Sequence, residues 1–140
     1  MKFLTQEICD ESKRMTKTDP AIQAKLKGLN VNFMMLCTDC PGNEDRQMTI
    51  VFKDGKRAEN ILVIKPARSD LRTEPVDTTK YVAKVTGPYE TISNVAQKKL
   101  PMLAALGSMR IEGDMAGLTA NMAGLTGLLD VFGRMPGLEF

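Results

Sequence analysis

Cys37-Thr38-Asp39-Cys40 has the C-x-x-C spacing shared by dithiol redox motifs and half of a zinc site. Each chemistry asks for more than the spacing. A reactive thiolate is commonly made at a helix N-terminus, where backbone N–H groups lower the thiol pKa. Here the pair ends an apolar run and enters a polar, acidic stretch, the wrong electrostatics for a thiolate. A structural zinc site needs four ligands, yet the chain has one other cysteine, Cys9, and no histidine. No metal site is expected. Glu112 and Asp114 could form an acid–base pair, but they read more simply as strand-surface charge and a helix cap. Gly113-Asp114 lacks the glycine spacing and the lysine of a phosphate-binding loop. Without histidine the usual general base and triad partner are also missing. The residue types predict neither an enzyme nor a cofactor.

Methionine is the residue in excess, with 10 in 140, and its flexible thioether suits irregular apolar surfaces. Four methionines, Met102, Met109, Met115 and Met122, lie inside the run from Leu100 to Met135, which a fifth ends. Between Lys99 and Arg134 the only charges are Arg110, Glu112, Asp114 and Asp130. A membrane-spanning helix needs about 20 apolar residues, and the uncharged stretch from Met115 to Leu129 falls short. The run must be buried in a protein or wrapped around something apolar.

Its punctuation predicts how it folds. After Gly107, Met109 and Ile111 alternate with Ser108, Arg110 and Glu112, the period of a half-buried strand. Gly113 ends the strand. Asp114 can accept hydrogen bonds from the free N–H groups of a following first helical turn. Met115, Leu118, Met122, Leu125, Leu129 and Phe132 then recur at spacings of three and four, one apolar stripe on a helix. MAGLT occurs twice on this helix. Its glycines, Gly117, Gly124 and Gly127, each cost about 1 kcal/mol against alanine, which implies close packing, a break or a movable segment.

The elements before this run are legible in outline. Residues 3–17 form an amphipathic helix with Phe3, Leu4, Ile8 and Met15 inward. Its basic face, Lys13, Arg14 and Lys17, suits transient contact with an anionic membrane surface but is more simply a solvated face. Asp19-Pro20 starts a second helix, with the aspartate as cap and the proline in the first turn, and Gly28 closes it. Val31–Cys37 is apolar on both faces at its centre, as expected of an interior strand. Gln47–Lys53 is a second strand, turned by Asp54-Gly55 toward a third near Ile61–Ile64. Residues 66–79, with two prolines, form a long surface loop of either lid or merely mobile character. Tyr81–Thr86 is a fourth strand. A helix from Tyr89 is broken by Pro101, which starts another. Five strands with helices before, between and after them make an α+β layer fold, here a single domain over 1–140 with a mostly antiparallel sheet.

Net charge is +2, and no basic stripe interleaved with aromatics is present, so nucleic acid is not an expected partner. Glu7, Asp10 and Glu11 interrupt any apolar core of a signal peptide, so a cytoplasmic location is expected. Oligomeric state is open, a homodimer included.

The segment Lys99-Leu100-Pro101-Met102-Leu103-Ala104-Ala105-Leu106-Gly107-Ser108-Met109-Arg110-Ile111-Glu112-Gly113-Asp114-Met115 resembles the signature of sterol carrier protein domains, the nonspecific lipid-transfer family. The pair of strands after the proline-started helix resembles the family's opening. The resemblance implies a five-stranded sheet covered on one face by helices, with an apolar tunnel between them that takes sterols, fatty acids or acyl-CoA. Pro136–Phe140 does not match the peroxisomal tripeptide of eukaryotic members, so peroxisomal import is not expected. The candidate ligand-lining residues are Phe33, Met35, Met48, Ile50, Phe52, Met102, Leu103, Leu106, Met109 and Ile111, together with the stripe Met115, Leu118, Met122, Leu125, Leu129 and Phe132. The expected function is non-enzymatic binding or transfer of an apolar lipid. The rival is an accessory or dimerisation domain whose tunnel is closed.

Overall fold

The computed structural model describes residues 3–59, 61–101, 104–105, 107–114, 116–117, 135 and 137–139, with the side chains of 31 and 57–59 excepted. Two helices come first, α1 (Gln6–Thr18) and α2 (Pro20–Leu26). Asp19 caps α2 as expected: its Oδ1 accepts from the N–H groups of Ala21 and Ile22 at 3.0 and 3.4 Å. Phe3 and Leu4, placed on the first helix by the apolar spacing, lie before it, with Leu4 at φ 59°. Both are still buried, beside Ile8 and Met15.

The sheet is mixed. Strands β1 (Val31–Cys40), β2 (Glu44–Lys53), β3 (Lys56–Glu59), β4 (Leu62–Pro66), β5 (Ala83–Pro88) and β6 (Arg110–Gly113) run in the order β3-β2-β1-β5-β6, with β4 also on β2. β3 pairs the end of β2 around Val51–Lys53 and β4 pairs its beginning, Glu44–Met48. The sheet is therefore five strand positions wide, with one edge shared by two short strands. The third strand expected near Ile61–Ile64 is this edge divided in two. All pairings are antiparallel except β1 with β5.

Two turns explain much of the register. Asp54 and Gly55 take φ 52° and 79°, the left-handed pair that two-residue hairpins require. The Gly55 N–H donates to the carbonyl of Leu29 at 2.9 Å, and a Cβ on Gly55 would lie 2.5 Å from the Leu26 carbonyl oxygen. Only glycine lets the hairpin dock on the end of α2. The turn before β2 is shorter than its polarity suggests: it spans 41–43, and Glu44, Asp45 and Arg46 already belong to the strand.

α3 (Tyr89–Ala96) follows β5 directly and buries Ile92, Val95 and Ala96. After Pro101, Ala104 and Ala105 are helical, and the Ala105 N–H reaches the Pro101 carbonyl at 3.0 Å. The core lies between one sheet face and the helices, and joins Ile8, Met15, Ile22, Leu26, Phe33, Ile50, Phe52, Ile92 and Ala96.

Residues 66–79 cover the opposite sheet face. A 3-10 turn, Asp70–Arg72, brings Leu71 down beside that face, and Leu71 is buried. Lys84, on the polar side of β5 by alternation, is 1% exposed there. Its Nζ donates to the carbonyls of Leu71 and Glu74 at 2.6 and 2.8 Å. Desolvation lowers its pKa. This segment is the cover of the second face.

Candidate functional site

The helix-side face of the sheet presents an apolar row that crosses every strand position. In register it runs Leu62, Met48, Met35, Val85, Ile111. A second row beside it holds Ile50, Phe33, Ala83 and Gly113. Period-two alternation puts these residues on one face once the register is fixed. The face is therefore continuous and apolar over the middle of the sheet.

Burial along the row is uneven. Met48 and Val85 are 3% and 6% exposed. Met35, between them on the central strand, is half-buried, as are Leu62 and Ile111. A core-facing methionine flanked by buried neighbours on both sides would be sealed in a solid core at native packing density. Met35 instead keeps accessible surface at the centre of the sheet. Met109 borders the same region: its side chain packs over Gly87, where a Cβ would meet Met109 Cγ at 3.0 Å.

Of the sequence-derived lining residues, Phe33, Met35, Met48, Ile50, Phe52, Met109 and Ile111 share the helix-side core. Phe33, Met48, Ile50 and Phe52 are buried, and the other three are half-buried. Met102, Leu103, Leu106, Met115, Leu118, Met122, Leu125, Leu129 and Phe132 lie outside the described residues. Leu62 and Val85 belong to the row but were not among the expected liners. Val85 shows in the Tyr81, Ala83, Val85 alternation, whereas Leu62 emerges only from the β2–β4 register.

Polar groups near this face make backbone hydrogen bonds, ion pairs and a ring contact. Arg46 is in register with Cys37, and its Nη1 donates to the Leu4 carbonyl at 3.1 Å while Nη2 pairs with Glu44 at 3.0 Å. Burial pushes the Tyr89 hydroxyl up, and its ring lies 6.2 Å from that of Phe3. Asp114 acts as the cap its position predicts, accepting from the Gly117 N–H at 3.0 Å. Glu112 pairs with Arg110 at 3.0 Å. Among the described residues no cluster of histidine, cysteine or carboxylate side chains could hold a metal, and no helix is long and apolar enough to cross a membrane. A pocket of about 520 Å³ at the strand ends has a mixed lining that includes Asn32, Thr79, Lys80, Tyr81, Val82 and Asp114.

This architecture is found in solved structures. The crystal structure of sterol carrier protein 2 superposes with a TM-score of 0.69, covering 95% of this chain and 98% of its own at 15% identity. This chain has the sterol carrier protein fold. A conserved hypothetical protein from Thermus thermophilus gives a TM-score of 0.67 at 13% identity, over 93% of this chain and 87% of its own. Sterol Carrier Protein-2 like-3 from Aedes aegypti gives 0.51 at 15% identity, over 86% and 96%. No family model matches the sequence, and no curated protein matches it. At these identities the likeness is one of fold.

Proposed function

We propose that the chain, as one domain, binds an apolar lipid between the helix-side sheet face and the apolar run after Gly113, without catalysing a reaction on it. The half-buried Met35, between the buried Met48 and Val85 at the centre of the row, carries this reading. Sterol carrier proteins of the same fold support it, as does the excess of methionine, whose soft side chain adapts to ligands of different outline. Burying about 400 Å² of an apolar ligand is worth roughly 10 kcal/mol gross at 25 cal/mol per Å². Association costs of about 4 kcal/mol or more come off that. Micromolar binding then needs no strong polar anchor. Apolar walls distinguish one methylene by only about 1–3 kcal/mol, so a range of acyl chains and sterols fits the reading. Fluorescent fatty-acid and sterol probes titrated into the folded protein test it. Saturable binding at micromolar concentration is expected. If neither probe binds at tens of micromolar while circular dichroism shows an intact fold, the chain is an accessory or dimerisation domain with a closed interior. A native mass spectrum would show which lipid leaves with the purified protein.

A further inference from the structure

The Cys37–Cys40 pair has no place in the apolar row, and its geometry is not that of two inert core thiols. In a regular strand, residues three apart point to opposite faces and are separated by roughly 10 Å, at about 3.3 Å per residue. β1 departs from that regularity between these two positions. Cys37 is opposite Arg46 and Cys40 opposite Glu44, so three steps on β1 face two on β2. Asp39, inside this bulge, takes φ 52°. The extra residue swings Cys40 back until its sulfur lies 3.4 Å from the carbonyl oxygen of Cys37, and both side chains enter the same core cluster. Bulges of this kind re-aim side chains, and here the bulge brings both cysteines into one part of the core.

The setting separates their roles. The Cys40 S–H donates to the Cys37 carbonyl oxygen, and a hydrogen bond between the two side chains together with burial pushes the Cys37 thiol up. The same bond and the nearby Arg46 guanidinium hold Cys40 below the ordinary thiol value. The carboxylate of Asp45, which opposes this by raising both thiols, is ion-paired with Arg72 at 2.8 Å. Cys40 is also followed directly by the exposed turn 41–43, a short path from solvent.

We propose that Cys37 and Cys40 form a redox site that a small peroxide converts to an intramolecular disulfide. The Cys40 thiolate attacks one peroxide oxygen. The O–O bond breaks, and the leaving hydroxide takes up a proton as water. The resulting Cys40 sulfenic acid is attacked by the Cys37 sulfur as it loses its proton, which forms the S–S bond and releases a second water. Two thiols are oxidised by two electrons and hydrogen peroxide is reduced to two waters. A thiolate reactive enough to begin and a neighbouring thiol to finish are what reversible cysteine oxidation needs.

The test uses the whole protein treated with hydrogen peroxide, denatured with alkylating reagent and digested with trypsin. Residues 28–46 form one peptide holding both cysteines. More than half of it is expected to lack alkyl groups and to be lighter by two hydrogens, with any methionine oxidation read separately from fragment ions. Dithiothreitol should restore the doubly alkylated form. Cys9→Ser should behave as the parent, and Cys37→Ala should leave a Cys40 sulfenic acid that dimedone traps. The proposal is overturned if the peptide stays doubly alkylated under conditions that fully oxidise free glutathione. It is overturned equally if the disulfide formed joins Cys9 to either partner.

Discussion

Arg72 grips Asp45 with two hydrogen bonds, Nε to Oδ2 at 2.9 Å and Nη2 to Oδ1 at 2.8 Å. Asp45 has no exposed surface. Its carboxylate also accepts from the Ser69 N–H and hydroxyl at 3.1 and 2.8 Å and from the Asp39 N–H at 3.2 Å. Arg72 reaches on to the Asp39 carboxylate at 3.0 Å. One buried charge on β2 thus ties down both the 66–79 segment and the bulge of β1.

Removing the arginine should show how much that tie contributes. Breaking a buried ion pair leaves an uncompensated charge and costs about 3–5 kcal/mol. The Arg72 side chain is 29% exposed, so water can reach the site in its absence and Arg72→Ala is expected at the low end, about 3 kcal/mol. Arg72→Lys should recover only part, because an ammonium cannot supply the paired donors of a guanidinium. Urea unfolding of the three proteins checks this. A loss below about 1 kcal/mol in Arg72→Ala, the range of an exposed pair, would mean the segment is held by Leu71 and Lys84 instead.

The same carboxylate sets an acid limit. The Arg72 hydrogen bond, followed by those from Ser69, holds the Asp45 carboxyl well below the usual carboxylate range. Its folded pKa is depressed relative to the unfolded value of 3.8, so the unfolded chain binds the proton first as pH falls. The stabilisation is therefore complete above that value and is lost as pH drops below it. Lowered pKa values at Glu11, Asp70 and Asp77 act in the same sense, but these groups face solvent and screening weakens them. Unfolding midpoints measured between about pH 6 and pH 2 should be flat at first and then fall steeply. Asp45→Asn should start lower and fall less. Equal slopes in the two proteins would remove Asp45 as the cause.

What the sequence could show depended on whether one element or two decided the outcome. Asp19, Asp54-Gly55 and Asp114 act within a few residues of themselves, and each does what its local pattern predicts. Lys84 does not. By alternation it belongs to a solvated face, and its burial follows from a cover supplied by residues 71–74, which no period in β5 records. Leu62 is similar, since its place in the apolar row depends on the edge dividing into β3 and β4. The Cys37–Cys40 contact rests on a bulge that C-x-x-C spacing alone does not encode. The strand part of the candidate site, Phe33, Met35, Met48, Ile50 and Phe52 among it, was legible because alternation plus burial fixes a strand's inward face.

Gly113 is a position where the local signal and the long-range reason coincide. It takes φ 108°, and a Cβ there would lie 2.5 Å from the Val82 carbonyl oxygen, the same oxygen that accepts from the Asp114 N–H at 2.8 Å. Gly113→Ala combines a left-handed strain worth about 1–3 kcal/mol with a clash against backbone that cannot swing away. With the displaced β5–β6 contact added to that strain, a loss of at least about 2 kcal/mol is expected. Gly137→Ala is the control: its φ is also positive, at 70°, but nothing lies within 4 Å of its Cβ position. Thermal unfolding should rank Gly113→Ala well below Gly137→Ala. If the two melt together, the approach to Val82 is not what demands glycine.

The proposed ligand gap makes its sharpest prediction at Met35. Met122, on the stripe between the two MAGLT copies, would serve in principle but lies outside the described residues. Met35 has a known register, Met48 on one side and Val85 on the other. Met35→Trp adds a large ring over the centre of the row. If that volume is empty until a lipid fills it, the ring occupies the lipid's place at little cost to the fold. Probe affinity should then fall at least tenfold, about 1.4 kcal/mol, with the unfolding midpoint lowered by a few degrees at most. If the region is solid core, the ring overfills it at a cost of about 1–3 kcal/mol or more. Met35→Leu, close in volume, should bind and melt like the parent in either case. A Met35→Trp protein that binds normally but melts far lower would place Met35 in packed core and take away the observation on which lipid binding rests.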